Sequence, residues 1–204
     1  MAEALPRVGR MSTLLAACAL TQVAAAGEIV SIEVAHEAGS YTLASVSRYS
    51  APPWAVYAVL ADYDGFARLS SAIVDSGVLA DPAPDGATRV HTMVRGCVLF
   101  FCRDVRRVER LELVPGEQIV ARVEPQHSDF SEGVSRWRFQ ALPDGGTEID
   151  FHMHMTPRFR VPPVIGPALV KRRLQRDGVR AVARIDALAL EYAAAAAGPG
   201  ASGR

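Results

Sequence analysis

Residues 96–104 read GCVLFFCRD, in which two cysteines enclose four large apolar residues and charge follows at once. Such thiols can ligate a metal, exchange electrons or form a bridge, and spacing decides among these. A zinc site needs further ligands and usually closer cysteines. Along one continuous strand, residues five apart point to opposite faces and lie ~16 Å apart, too far for a disulfide. If residues 98–101 are instead the loop of a hairpin, Cys97 and Cys102 face each other across its base and a bridge fits. The flanks TRVHTMVR and RDVRRVERLELV are both strand-like, and Gly96 is the turn signal between them. The expectation is a Cys97–Cys102 hairpin tip that carries Phe100 and Phe101 to a cavity mouth or a membrane. The alternative is an unbridged strand with two free thiols.

Other residues of chemical interest carry less. His152 and His154 stand at i and i+2 and share a strand face with Glu148 and Asp150, which reads as a polar outer face rather than a metal site. The sequence has no Gly-x-Ser-x-Gly, no His-Glu-x-x-His and no phosphate loop. No catalytic residue, metal or cofactor is therefore assigned. Were the protein an enzyme, Tyr63, Asp129 and Arg95 are the polar candidates, although each fits a turn or surface position.

Basic and acidic side chains balance at 22 each in 204 residues, so no overall field favours nucleic acid. Charge recognition must then be local. Arg172, Arg176, Arg180 and Arg184 repeat every fourth residue and draw a stripe on one helix face. That stripe could rest on anionic headgroups in a peripheral membrane contact, or be an ordinary solvated face.

Arg7 and Arg10 precede an uncharged apolar run ending in Ala24-Ala25-Ala26. This order reads as an export signal over residues 1–26, giving a secreted protein of the bacterial periplasm. Leu15-Ala16-Ala17-Cys18 also resembles a lipobox, so a lipoprotein form through Cys18 stays open. After export, Cys97 and Cys102 are an even pair in a compartment that permits disulfides.

These residues need a scaffold, and the pattern supplies one. Residues 27–39 read as a linker. A first strand over 41–50 ends at Pro52-Pro53, and PWAVYAVLADYDGFARL then gives two short helices broken at 62–65. Turn signals at 82–86, 115–116 and 143–146 separate further strands into an antiparallel meander. In GTEIDFHMHMT, Ile149, Phe151, Met153 and Met155 share one face, and Trp137 and Phe139 alternate with arginines just before it. Paired as a hairpin, the two segments give a sheet with one wet and one greasy face. A long helix follows, striped by Val170, Leu174, Gly178, Ala181, Ile185, Leu188 and Tyr192. Residues 193–204 read as a disordered tail. The layout is α+β: a curved antiparallel sheet wrapped around a long C-terminal helix, with two short helices after the first strand.

APPWAVYAVLADYDGFARLSSAIVDSGVL, FSEGVSRWRFQALPDGGTEIDFHMHMTPRF and VPPVIGPALVKRRL, in that order, resemble the START-like (SRPBCC) superfamily. Within it, the chain is most similar to polyketide cyclase/dehydrase-type and coenzyme Q-binding-type proteins. The resemblance spans residues 40–192, taken as the domain, and implies a helix-grip fold with a cavity between sheet and helix. It implies binding or carriage of a lipid, quinone or polyketide-like molecule. The ligand would meet Trp137, Phe139, Phe151, Met153 and Met155, with Phe100 and Phe101 at the rim. A cyclase/dehydrase-like enzyme is the first alternative. A protein-interaction module with a filled cavity is the second, since relatives include a ribosome-associated toxin. Fold alone does not decide among these.

Overall fold

The computed structural model describes residues 27–98, 101–159 and 166–198. Eight strands form one antiparallel sheet: β1 (Glu28–Glu37), β2 (Ser40–Tyr49), β3 (Ile73–Val78), β4 (Arg89–Val98), β5 (Phe101–Val114), β6 (Gln118–Val123), β7 (Phe130–Ala141) and β8 (Thr147–Pro157). Their order across the sheet is β1-β2-β8-β7-β6-β5-β4-β3. Helix α1 (Pro53–Ala61) and a 3-10 turn (Tyr63–Arg68) follow β2, and the long helix α2 (Gly166–Ala197) closes the domain. This is the α+β helix-grip architecture expected from the sequence.

Three boundaries differ from expectation. Residues 27–39 are no linker, because β1 occupies most of them and pairs with β2 along its length. The short helices therefore follow the second strand. The segment hides in the sequence because β1 is a largely exposed edge strand with a register shift between Ile29 and Ser31, which breaks the alternation. At the other end, α2 runs through Ala197, so residues 193–197 are helical rather than tail. The segment 1–26 read as an export signal, with Cys18, lies outside the described residues, as do residues 199–204.

Local chemistry explains the elements. Pro53 opens α1, where its missing N–H costs nothing. Asp62 ends α1 and starts the next turn by accepting the Gly65 N–H at 3.1 Å. The β7–β8 hairpin turns at Gly145, whose φ of +88° suits glycine. Its register sets Trp137 opposite Phe151 and Phe139 opposite Ile149 inside, with Arg138 opposite Asp150 outside. The greasy and wet faces thus fall as the alternation predicts.

Burial along α2 is uneven, and that unevenness makes the site. Val182, Ile185, Leu188 and Ala189 are buried against α1 and the sheet, with Val56 and Leu60 in the same cluster. Val170 and Leu174, toward the N-terminus, are only partly covered. Asp186, 1% exposed, locks the packed half by accepting the Ser50 N–H at 2.8 Å and the Ala51 N–H at 3.1 Å. Tyr192, last on the stripe, is half exposed and meets Trp54 at 5.8 Å between ring centroids.

Candidate ligand cavity

Under the N-terminal half of α2 the sheet and helix leave a cavity of about 300 Å³. Met153 and Met155 from β8, Val94 from β4, Val105 from β5, Phe130 from β7 and Leu174 from α2 form its apolar wall. Its size is at the small end for ligand pockets and equals about ten waters at liquid density. Gly133 helps to shape it. A Cβ there would collide with the Sδ of Met155 and lie 2.7 Å from Cγ2 of Val123, so glycine lets Met155 lie across β7.

The aromatics expected to touch a ligand separate into different places. Trp137 and Phe151 meet in a tilted pair, 4.8 Å between ring centroids, and line a deeper space of about 140 Å³ beneath Gly178 and Val182. Phe139 belongs to the packed core and sits edge-on to Tyr57 at 5.5 Å. Met153 and Met155 line the larger cavity. Phe100 lies outside the described residues, and Phe101 enters only as the strand partner of Val98.

Among the described residues, one charged side chain reaches the cavity wall, and sequence reasoning missed it. Arg107 on β5 lines the cavity beside Tyr41 of β2. Its Nε lies 2.9 Å from Oε2 of Glu109, which is completely buried. Beyond that ion-pair contact, neither carboxylate oxygen has a hydrogen bond among the described residues, and the Tyr63 hydroxyl, Tyr41 hydroxyl and Thr92 Oγ1 are likewise buried without one. Thr92 stands directly opposite Arg107 in the β4–β5 register. Burial pushes the Glu109 carboxyl above its ordinary range, and Arg107 pulls it back. Burial, joined by the charge of Glu109, pushes the Tyr63 phenol well up, so it stays protonated at neutral pH. Buried groups without partners are costly in a protein interior. Of these side chains, only Arg107 and Tyr41 belong to the cavity lining.

The other candidates sit elsewhere. Arg95 is forked onto Asp104 at 2.7 and 2.8 Å on an exposed face. Asp129 accepts the Arg106 N–H at 2.8 Å. His152 pairs with Asp150 at 2.9 Å and His154 with Glu132 at 3.1 Å. An open groove of about 570 Å³ along β1, β2 and β8 takes in Glu33, Arg136, His152 and His154. With so many charged and polar side chains, it suits an apolar ligand poorly.

Cys97 and Cys102 are opposite each other in register, 4.0 Å apart at Cα, and bridged. The hairpin alternative is thereby the one realised, with pairing continued through Val98 and Phe101. Nη1 of Arg173 donates to the Cys97 carbonyl at 3.4 Å and ties α2 to this hairpin. Arg172, Arg176, Arg180 and Arg184 are exposed as expected. Three of them join Arg68 around a groove of about 290 Å³, whereas Arg172 faces the hollow beside Cys97.

A sheet gripping a helix over an apolar cavity defines a helix-grip domain. The model of the family described as polyketide cyclase/dehydrase and lipid transport matches residues 18–189, and the chain belongs to that family, within the START-like superfamily. No curated protein matches it in sequence. Among solved structures, the chain is similar to the ZhuI aromatase/cyclase from a Streptomyces species, with 18% identity and a TM-score of 0.61 over 78% of this chain and 99% of that one. A START superfamily protein from Mycobacterium smegmatis gives 14% and 0.56 over 72% and 98%. Human STARD10 gives 14% and 0.57 over 80% and 74%. At these identities the likeness establishes the fold.

Proposed function

We propose that the protein binds and carries a hydrophobic small molecule in the cavity between the sheet and the N-terminal half of α2. The observation that carries this reading is the cavity wall, which among the described residues is apolar apart from Arg107 and Tyr41. Burial of apolar surface contributes about 25 cal/mol per Å², so such a ligand needs few polar contacts. Two methionines in the wall suit a site that must adapt to its occupant. The proposal includes export: the basic-then-apolar order of residues 1–26 and the bridged cysteine pair both fit an oxidising compartment.

Solvent extraction of protein purified without detergent, followed by mass spectrometry, tests the reading directly. A second arm titrates the protein with N-phenyl-1-naphthylamine. Saturable binding at one site, lost in Leu174→Trp, supports the cavity. No retained molecule and no saturable binding defeats it.

The polar group around Arg107 and Glu109 favours a second reading, a cyclase-like enzyme in which positioning and exclusion of water do much of the work. Its signature is a bound molecule released lighter by one water, whereas cargo is recovered unchanged.

A further inference from the structure

We infer that the groove between residues 68–72 and the middle of α2 is a binding site for a phosphate group, carried by a soluble molecule or by a lipid head. The site is separate from the apolar cavity and stands whether or not that cavity is filled.

Helical spacing builds one wall and the fold adds the other. Arg173, Arg176, Arg180 and Arg184 follow one another at intervals of three, four and four and share one face of α2. Opposite them, the chain leaving the 3-10 turn brings Arg68 and Ser70, and the walls enclose about 290 Å³, roughly ten waters at liquid density. Both walls are fixed in place. Leu69 is buried, the Ser70 carbonyl accepts the Ile73 N–H at 3.0 Å, and the Ala72 carbonyl accepts the Arg95 N–H at 2.7 Å. Nε of Arg184 donates across the groove to the Arg68 carbonyl at 3.1 Å. Arg173 holds the other end through the Cys97 carbonyl. A site held open in this way has little left to order when a ligand arrives.

Charge in the groove is unbalanced. Asp177 is the one carboxylate among its described lining residues, and it already serves Nε of Arg173 at 2.8 Å and Nε of Arg176 at 3.5 Å. Arg68 is paired with Asp62. Among the described residues no carboxylate pairs with Arg180 or Arg184, and Arg184 meets only the neutral Arg68 carbonyl. Like charges one turn apart destabilise a helix, so this arrangement costs the fold stability that a multivalent anion would restore. A phosphate group supplies more than one negative charge and oxygens that match the guanidinium fork. The Ser70 hydroxyl accepts the Ala72 N–H at 3.2 Å and keeps its own proton to donate to such an oxygen. One carboxylate would leave most of the arginines unanswered.

Calorimetry with pyrophosphate at constant ionic strength tests the site, and one saturable site is expected. Arg180→Gln and Arg184→Gln should each weaken it about tenfold, as loss of one charge-assisted contact implies. Arg172→Gln, outside the groove, should change it by less than about twofold, because it acts only through screened charge. All three side chains are exposed, so the variants should fold, and their melting points without ligand check this. Arg180→Lys keeps the charge, loses the fork and should fall between wild type and Arg180→Gln. A second arm identifies the source of the phosphate. It compares vesicles containing phosphatidic acid, whose head is a phosphomonoester, with vesicles containing phosphatidylglycerol at matched surface charge. Tighter binding to phosphatidic acid makes the ligand a lipid head, and equal binding makes it a soluble phosphate compound. Absence of saturable pyrophosphate binding overturns the inference. So does a loss in Arg180→Gln no larger than in Arg172→Gln, the mark of diffuse surface charge. Neither result touches the cavity, whose naphthylamine titration is read separately.

Discussion

Replacing Arg107 by Met removes the compensating charge of a carboxylate that water cannot reach. In the native chain burial raises the proton affinity of Glu109 and Arg107 opposes it. Without Arg107 burial acts alone, so folded Arg107→Met keeps Glu109 protonated beyond the ordinary carboxyl range near 4.5, where the unfolded chain ionises. A folded pKa above the unfolded one means that the folded state holds the extra proton. Stability then falls as pH rises from the unfolded value toward the folded one, by about 1.4 kcal/mol per pH unit, and levels off once the folded carboxyl ionises. Below the unfolded value both states are protonated and the penalty vanishes. The proper reference is Arg107→Met/Glu109→Gln, which shares the packing defect and titrates nothing at this site. Urea unfolding of both variants at about pH 5, 6 and 7 should show the single variant losing ground by about 1.4 kcal/mol per unit from pH 5 upward. The total should stop within the roughly 3–5 kcal/mol typical of a broken buried pair. A flat difference across that range would refute the claim that Glu109 sits buried with Arg107 as its compensating charge.

Other perturbations follow from the same geometry. Cys97→Ser/Cys102→Ser opens a short loop of sequence separation 5, for which chain entropy gives about 2 kcal/mol and a melting temperature lower by about 4–8 °C. Scanning fluorimetry reads this, and an unchanged melting point in a variant with both thiols removed contradicts a stabilising bridge. Asp186→Ala strips the Ser50 and Ala51 N–H groups of their acceptor and should cost about 2–4 kcal/mol in chemical denaturation. A loss below about 0.5 kcal/mol would mean that water replaces the carboxylate without penalty. For the α2 stripe, wild-type protein should float with anionic liposomes better than with zwitterionic ones, each arginine contributing about 1 kcal/mol. Arg176→Glu/Arg180→Glu should remove the difference, and equal flotation of the wild type on both vesicles would sink the electrostatic contact.

Much of the fold can be read from residues because β7 and β8 obey a strict period of two. Trp137 and Phe139 on one side and Phe151, Met153 and Met155 on the other can occupy only one face of a paired hairpin, and they do. What the period cannot tell is which inward residue packs and which lines space. That depends on how far α2 lies from each stretch of sheet. Phe139 ends in the core because α1 brings Tyr57 against it, while Met153 and Met155 line a cavity because α2 at Val170 and Leu174 stands off.

The same limit explains why Arg107 and Glu109 escape the sequence. In β5, VRRVERLELV offers apolar residues of both parities, Val105 and Leu111 on one and Val108 on the other. Alternation alone then gives no inside. Val108 is completely buried even though it lies on the face away from the cavity. Residues 124–128 run beside β5 where β6 ends, with Ser128 Oγ accepting the Val108 N–H at 2.9 Å and the Glu124 N–H donating to its carbonyl at 2.8 Å. A strand covered on both sides loses its binary pattern, and an Arg-Glu pair at i and i+2 then looks like surface charge. Register resolves it: Val90 opposite Glu109 and Val94 opposite Val105 put the pair inside. A charged pair within a strand that has buried valines on both parities is therefore better read as interior, and an interior charge beside a cavity is better read as part of the site.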